Sequence, residues 1–192
     1  MRILVFQHLG VEHPGIFRDF WKEDGHEWDV VELDKGDVIP PLETYDFLAV
    51  MGGPQDVWQE DAFPWLVAEK AAIRRWVLEL ERPYLGMCLG HQLLAEALGG
   101  KVTLMDAAEV GLTEVGFTPE GGNDPLFAGI GDSMLTLQWH GAGISTLPAG
   151  AVVLASNAAC AVQAMRYGKH AYGLQYHIEI TAGTVADWEA VA

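Results

Sequence analysis

Residues 83–98, PYLGMCLGHQLLAEAL, contain a short strand and a helix that meet at one cysteine. Residues 83–88 form an apolar run of the kind that buried strands show. Residues 89–98 then repeat leucine and alanine at helical spacing, and Gly99 and Gly100 favour the end of a helix. A strand that leads directly into a helix predicts one unit of a parallel α/β sheet.

The chain before residue 83 repeats this alternation of strand and helix. Strand patterns cover residues 2–6, 26–33 and 45–51, and helical patterns cover residues 16–21 and 61–80. This order predicts an α/β fold with a mostly parallel central sheet and helices on both of its faces.

The second half of the chain has a different pattern. Short strands separated by Gly, Pro and Asn turns are predicted at 101–118, 134–139, 152–156, 162–166 and 171–178. They predict a smaller antiparallel elaboration of the sheet. Thr181 is expected to cap a last helix that runs to Ala192. Because no internal repeat or low-complexity linker interrupts the pattern, we expect residues 1–192 to form a single domain.

The overall composition excludes several classes of protein. Eleven basic residues against 27 acidic ones give a net charge of −16, which disfavours binding to nucleic acid. Half of the 192 residues are apolar, which excludes a disordered chain, and no apolar run approaches the roughly 20 residues that span a bilayer. Two cysteines cannot form a disulfide framework, and the first residues are typical of a strand rather than a signal peptide. We therefore expect a cytoplasmic protein with no nucleic-acid or membrane partner.

Cys88 is the first candidate for chemistry, within the sequence Gly86-Met87-Cys88-Leu89-Gly90. A nucleophile between a strand and a helix lies on a tight turn, and the N-terminus of the helix favours a thiolate. The flanking glycines are expected to permit a strained backbone and to leave room for a substrate. The alternative is a buried structural cysteine at a glycine-rich strand end.

His177 and Glu179 are candidates for the groups that would activate this thiol, because a cysteine thiol is mostly protonated at neutral pH. Along the predicted strand 171–178 and just past it, Gln175, His177 and Glu179 alternate onto one face. The imidazole can take a thiol proton while the carboxylate fixes the tautomer of the ring. Alone, the pair is also consistent with a surface histidine beside a solvated glutamate.

A third candidate is the loop Met51-Gly52-Gly53-Pro54, which follows the predicted strand 45–51. Backbone N–H groups in such a loop can face a developing oxyanion with no side chain in the way. The N–H of Leu89, directly after the cysteine, is the natural second donor. A plain turn is the alternative.

These three segments together resemble class I, or triad-type, glutamine amidotransferases. The matching motifs are Gly-Gly-Pro-Gln at 52–55, Gly-Met-Cys-Leu-Gly-His-Gln at 86–92 and Gly-Leu-Gln-Tyr-His-Ile-Glu at 173–179. They occur in the order that the family shows and cover nearly the whole chain. Within the family, the chain is most similar to free-standing proteins that look like the amidotransferase domain of GMP synthase. The resemblance implies a flavodoxin-like class I amidotransferase architecture.

The resemblance also implies a reaction. Cys88 would attack the side-chain amide of glutamine, His177 would act as base and then protonate the leaving ammonia, and Glu179 would orient His177. A γ-glutamyl thioester would form and then be hydrolysed, and no cofactor is implied. In the family the ammonia normally passes to a synthase active site, so a synthase subunit is implied as a partner.

Further residues are implied as binding groups. Gly52 and Gly53 would belong to the oxyanion and substrate-binding loop, with N–H groups of Gly53 and Leu89 as the donors. Gln92, at the start of the helix, would help to hold the glutamine.

The sequence departs from the family at 138–142, Gln-Trp-His-Gly-Ala, where relatives commonly carry His-Gly-Asp. Ala142 therefore stands at an acidic position that in relatives lies near the substrate pocket and the partner face. A γ-glutamyl peptidase that uses the same triad is the alternative enzyme. A non-catalytic regulatory or partner-binding module is the alternative of another class.

A metal site is not expected from the sequence. His140, His177 and Glu179 would be its ligands, but no pair among them has the i, i+4 spacing of a helical zinc site. A cysteine–histidine mechanism accounts for the same residues.

Overall fold

The computed structural model describes residues 1–181 and 183–190, and strands and helices alternate through the first half of this chain. The strands are β1 (Arg2–Gln7), β2 (Glu27–Glu32), β3 (Phe47–Val50), β4 (Tyr84–Met87), β5 (Lys101–Phe117), β6 (Ser133–Thr146), β7 (Ala151–Ser156), β8 (Ala164–Tyr167) and β9 (Ala171–Leu174). The helices are α1 (Phe17–Glu23), α2 (Trp65–Leu78), α3 (Leu89–Ala97), α4 (Pro119–Gly122) and α5 (Thr184–Glu189).

The described strands form one sheet of nine, in the order β2-β1-β3-β4-β9-β8-β7-β5-β6. Neighbours from β2 to β9 pair in parallel, whereas the pairs from β9 through to β6 are antiparallel. The predicted α/β class, with a parallel sheet and an antiparallel elaboration, is confirmed. Since β3, β4 and β9 are adjacent and parallel, the segments that follow them meet at one edge of the sheet.

Helices cover both faces of the parallel strands. Ile3 packs in one apolar cluster with Trp21 of α1, while the next residue, Leu4, packs in a second cluster with Trp76 of α2. Successive side chains of a strand point to opposite faces, so a strand buried on both faces reads as a continuous apolar run. This explains why the predicted strand 2–6 shows no alternation.

The last predicted strand ends earlier than expected. It stops at Leu174 rather than at residue 178, so His177 and Glu179 lie beyond β9. Past Leu174 the backbone changes partners: the N–H of Gln175 donates to the Gln163 carbonyl at 2.8 Å, and the N–H of His177 donates to the Leu137 carbonyl at 2.9 Å. Because these acceptors belong to different segments, no regular ladder continues.

The final helix also differs from its prediction. It begins at Thr184, and Thr181 does not cap it; instead the Thr181 N–H donates to the hydroxyl of Thr184 at 2.7 Å. The helix ends at Glu189. The predicted extension to Ala192 falls on residues 191–192, which lie outside the described residues.

No helix within residues 1–181 and 183–190 combines the length and the apolar character needed to cross a membrane.

Candidate active site

Cys88 occupies a strained turn between β4 and α3. Its φ is +49°, in the left-handed region that non-glycine residues rarely adopt. Strain of this kind costs on the order of 1–3 kcal/mol and persists where the surrounding structure imposes it. Here the N–H of Cys88 is held by the Leu174 carbonyl at 2.8 Å. The turn therefore presents a 6% exposed thiol at the start of a helix.

The glycines on either side of Cys88 have a different role from the predicted one. Neither Gly86 nor Gly90 has a positive φ, so the strained position is the cysteine itself. A Cβ on Gly90 would lie 2.2 Å from the Val50 carbonyl oxygen, and one on Gly86 would lie 2.5 Å from the Gly90 backbone. The space that the glycines leave is thus filled by neighbouring backbone rather than by a substrate.

His177 and Glu179 form a buried pair. His177 Nδ1 lies 2.7 Å from Glu179 Oε1, and both residues are at most 3% exposed. The carbonyl of Glu179 accepts from the N–H of Ile16 at 2.8 Å, which fixes the backbone where no strand does. The indole of Trp188 packs edge-on against the imidazole, with ring centroids 4.5 Å apart. The pair is therefore not the solvated surface pair that the sequence alone allowed.

The pKa of His177 lies well above its ordinary value. Burial acts to lower it, but the Glu179 carboxylate and interactions with Cys88 raise it by more. The imidazole of His177 therefore binds a proton more tightly than a free imidazole does. A base of this strength, next to Cys88, can accept and keep the proton of the thiol.

The sulfur of Cys88 has two polar neighbours besides the imidazole. The thiol lies 3.9 Å from the Trp139 carbonyl oxygen, which accepts from it, and Gln175 Nε2 donates to the sulfur at 3.7 Å. Gln175 shares a face with His177 and Glu179 in the sequence pattern, yet nothing in the pattern assigned it a contact with the cysteine.

Glu12 is a site residue that the sequence patterns did not indicate. Atoms of Glu12, His177 and Glu179 all lie within 4.8 Å of one another, so two carboxyl groups adjoin one imidazole. Burial raises the pKa of Glu12, His177 lowers it and Glu179 raises it, for a net increase. Its Oε2 is buried without a hydrogen-bond partner among the described residues. One feature of the sequence could have indicated Glu12: it follows the first predicted strand, and the carboxyl edge of a parallel sheet is where ligands bind.

The predicted loop residues lie beside these groups. A Cβ on Gly52 would lie 3.2 Å from His177 Cε1 and 2.5 Å from Glu12 Oε2, so this glycine packs against the imidazole. Gly53 and Leu89 line the same cavity as Cys88. Among the described residues, neither the Gly53 nor the Leu89 N–H has a backbone acceptor. Two residues that line the cavity of Cys88 therefore have a backbone N–H without a backbone acceptor among the described residues.

Gln92 is bound into the wall of the cavity. Its Nε2 donates to the Ala142 carbonyl at 3.0 Å and to Gln175 Oε1 at 3.1 Å. Its amide nitrogen is thus already used within the protein, which leaves Oε1 as the atom free to meet a ligand. A role in holding glutamine stays a prediction.

His140 does not belong to the cluster formed by Glu12, His177 and Glu179. Its Nδ1 contacts the Ala142 carbonyl at 2.9 Å, and its Nε2 lies 3.1 Å from Gln138 Oε1 and 3.2 Å from Glu109 Oε2. The methyl group of Ala142 is buried in the apolar core. The sequence suggested His140, His177 and Glu179 as the ligands of a metal site. The group that the structure brings together consists of Glu12, His177 and Glu179, without His140.

The cavity beside Cys88 has a volume of about 430 Å³. Glu12, Gly53, Gln92 and Trp139 contribute to its wall. The arrangement combines a buried thiol, an imidazole fixed by a carboxylate and two backbone N–H groups that have no backbone acceptor among the described residues. These groups can attack a carbonyl carbon, move a proton and stabilise an oxyanion.

Buried histidines predict that stability peaks near pH 6.5 and falls on both sides. Burial lowers the pKa of His91 to about 4 and lowers that of His140 as well. Unfolded imidazoles titrate near pH ~6.5, so this contribution to stability is present above that pH. It is lost as the pH falls through the lowered pKa values of the folded protein.

Above pH ~6.5, two other buried histidines make stability fall as the pH rises. Burial lowers the pKa of both His8 and His177. Glu69, Gly52 and Glu12 together raise the pKa of His8 by more, and Glu179 and Cys88 together raise that of His177 by more. The contribution of the two histidines is present below pH ~6.5 and is lost as the pH rises through the folded values. Thermal unfolding at pH 5, 6.5 and 8 checks this, and a Tm that rises or falls steadily across the range would contradict it.

Comparisons with known proteins give a consistent result. The family model described as glutamine amidotransferase class-I matches residues 18–187. The glutamine amidotransferase-like protein YfeJ of Salmonella typhimurium is 31% identical over 195 residues, covering 96% of this chain and 78% of YfeJ. A glutamine-hydrolysing GMP synthase of Caldicellulosiruptor saccharolyticus is 30% identical over 171 residues.

The share of each relative that is covered differs. The match to the GMP synthase covers 88% of this chain but only 29% of the synthase. The crystal structure of a Thermotoga maritima glutamine amidotransferase matches with a TM-score of 0.92 and 32% identity, covering 100% of this chain and 81% of that one. The likeness therefore extends over the whole described fold.

Proposed function

Since this chain belongs to the class I glutamine amidotransferase family and resembles its GMP synthase branch, we propose that it hydrolyses the glutamine side-chain amide through Cys88, His177 and Glu179. The observation that carries the proposal is the 2.7 Å contact between His177 Nδ1 and Glu179 Oε1 beside a cysteine at φ +49°. That contact leaves Nε2 as the ring nitrogen free to serve the thiol.

The proposed reaction has two halves. In the first, His177 takes the Cys88 proton, the sulfur attacks the amide carbon, and the Gly53 and Leu89 N–H groups stabilise the oxyanion. His177 then returns the proton to the leaving nitrogen, which departs as ammonia. In the second, water attacks the γ-glutamyl thioester with His177 as base. Glutamate is released and the thiol of Cys88 is regenerated.

A γ-glutamyl amide larger than glutamine is the second candidate substrate. Two observations favour it: the cavity of about 430 Å³ falls in the range that holds drug-sized ligands, and residue 142 has a buried methyl group instead of a carboxylate. The same acyl chemistry serves any γ-glutamyl leaving group.

A synthase that accepts the ammonia is the partner that we propose. The GMP synthase relative extends far beyond the matched region, and this chain corresponds to 29% of it. The acceptor site would then lie on another polypeptide or on a segment outside residues 1–192. We further propose that these residues act as a single amidotransferase domain in the cytoplasm, where two unpaired cysteines stay reduced.

Purified protein is expected to release ammonia and glutamate in equal amounts from millimolar glutamine, because each thioester formed and hydrolysed yields one of each. The measurement is an end-point assay of both products, with a γ-glutamyl dipeptide run in parallel. Faster turnover of the dipeptide would select the peptidase alternative. Release from neither substrate, with Cys88 still accessible to iodoacetamide, would contradict hydrolysis by the free chain and favour a site that needs its partner.

A further inference from the structure

Besides His177–Glu179 and His140–Glu109, a further histidine–carboxylate pair lies behind the Gly52–Gly53 loop. His8, the residue after β1, places Nε2 2.8 Å from Oε1 of Glu69 on α2, and both residues are fully buried. The indole of Trp65 stacks on the His8 ring, with centroids 5.4 Å apart and planes 14° from parallel. Burying such a pair carries a large desolvation cost. A buried pair of this kind is a candidate for a functional role.

The other nitrogen of His8 reaches the predicted oxyanion loop. Nδ1 lies 2.9 Å from the Gly52 carbonyl oxygen. A carbonyl can only accept, so Nδ1 must carry a proton whether the ring is neutral or charged. The Glu69 contact is compatible with this assignment in both states, since Nε2 can donate to a carboxylate or accept from a carboxylic acid.

This hydrogen bond fixes the direction of the neighbouring N–H group. The Gly52–Gly53 peptide is trans, so the Gly52 carbonyl and the Gly53 N–H point in opposite directions. With the carbonyl held toward His8, the N–H points away from it. Gly53 lines the cavity that also contains Cys88, whereas His8 does not line it.

A glycine pair needs such an anchor more than other sequences do. Glycine has little conformational preference of its own, so a Gly-Gly peptide can rotate between orientations. Larger residues cannot replace these glycines, because a Cβ on Gly53 would lie 2.6 Å from Gln55 Oε1 and 2.8 Å from the His8 Cβ. The loop thus requires glycine for space and an external donor for orientation.

We propose that His8 and Glu69 are a positioning pair that holds the Gly52–Gly53 peptide with its N–H toward the cavity and so builds one half of the oxyanion hole. The inference rests on the proposed function, which it deepens. His8 acts through Gly53 and does not touch the substrate; Glu69 holds the His8 ring. Burial lowers the pKa of His8, but Glu69, the Gly52 carbonyl and Glu12 together raise it by more.

The test compares two substitutions of nearly equal shape. In a Glu69→Gln background, which removes the buried carboxylate, His8→Asn keeps an N–H donor near the position of Nδ1. His8→Leu has a similar branched shape and no donor. Both double variants lose the same contact with residue 69, so a difference between them reports the hydrogen bond to Gly52. Glu69→Gln alone keeps Nδ1–H but loses the carboxylate that holds the His8 ring, so its kcat is expected to lie between that of the wild type and that of the leucine double variant.

The expected result is a loss in kcat of about 10²–10³-fold in the leucine variant relative to the asparagine variant, the usual effect of losing one oxyanion donor. KM should change little. Alkylation of Cys88 by iodoacetamide should be equal in the two variants, because displacement of iodide forms no oxyanion. Equal kcat values would overturn the proposal, as would a fall in alkylation that parallels the fall in hydrolysis.

Failure of the proposed function would give a different result. If the wild type hydrolyses neither glutamine nor a γ-glutamyl dipeptide, the function is wrong, and crystal structures of the two double variants still test the positioning role. The Gly52 carbonyl should keep its direction in the asparagine variant and rotate in the leucine variant. An unchanged carbonyl in both would overturn the positioning role as well.

Discussion

Replacing Cys88 by alanine is expected to abolish hydrolysis, lowering kcat by roughly 10⁶-fold, as removal of a nucleophile does in other acyl-transfer enzymes. No other described thiol borders the cavity, so no group can take over the attack. The side chain is small and 6% exposed, and the backbone contact to Leu174 does not involve it. Ammonia release and thermal unfolding, measured on the same preparation, should therefore show lost activity with an intact fold.

Cys160→Ala is the matched control for this experiment. Cys160 is likewise buried, at 4% exposure, but it lies outside the cavity of Cys88. This variant should keep its activity. Residual hydrolysis by Cys88→Ala near the wild-type rate, or equal losses in both variants, would remove Cys88 from the mechanism.

Glu179→Gln is expected to lower kcat by about 10⁴-fold, the loss that follows when the carboxylate behind a catalytic imidazole becomes an amide. The carboxylate can only accept, so it holds the proton of His177 on Nδ1 and leaves Nε2 free. An amide of the same shape can donate to Nδ1 and so stabilise the tautomer that carries its proton on Nε2. The substitution also removes the Glu179 carboxylate, a main cause of the raised pKa of His177, so that this pKa should fall. Steady-state kinetics and an NMR titration of the His177 ring measure the two effects.

Glu12→Gln separates orientation from charge. Glu12 adjoins the same imidazole but makes no hydrogen bond to it. If orientation by Glu179 matters most, Glu12→Gln should cost much less activity than Glu179→Gln. Equal losses in the two variants would mean that the summed negative charge, rather than the tautomer, supports the reaction.

Local patterns in the chain were enough to locate the turn that carries Cys88. The predicted strand 83–88 and helix 89–98 agree closely with β4 and α3, because periodicity and glycine placement depend on near neighbours. The same patterns overextended β9 past Leu174, since the hydrogen bonds that end it come from residues 137 and 163. They also missed why Gly90 is needed, because the Val50 carbonyl that excludes a side chain is distant in sequence.

The amino-acid order alone therefore specified the α/β class, the parallel half of the sheet and the three segments that converge at its edge, because burial patterns and turn residues are local properties. Only the folded chain places Glu12 beside His177, and only there does His8 join Glu69 to the Gly52 carbonyl. Polar contacts between residues such as 8 and 69 leave no periodic trace along the chain. They depend on how strands and helices pack against each other, and that packing depends on contacts between segments far apart in the chain.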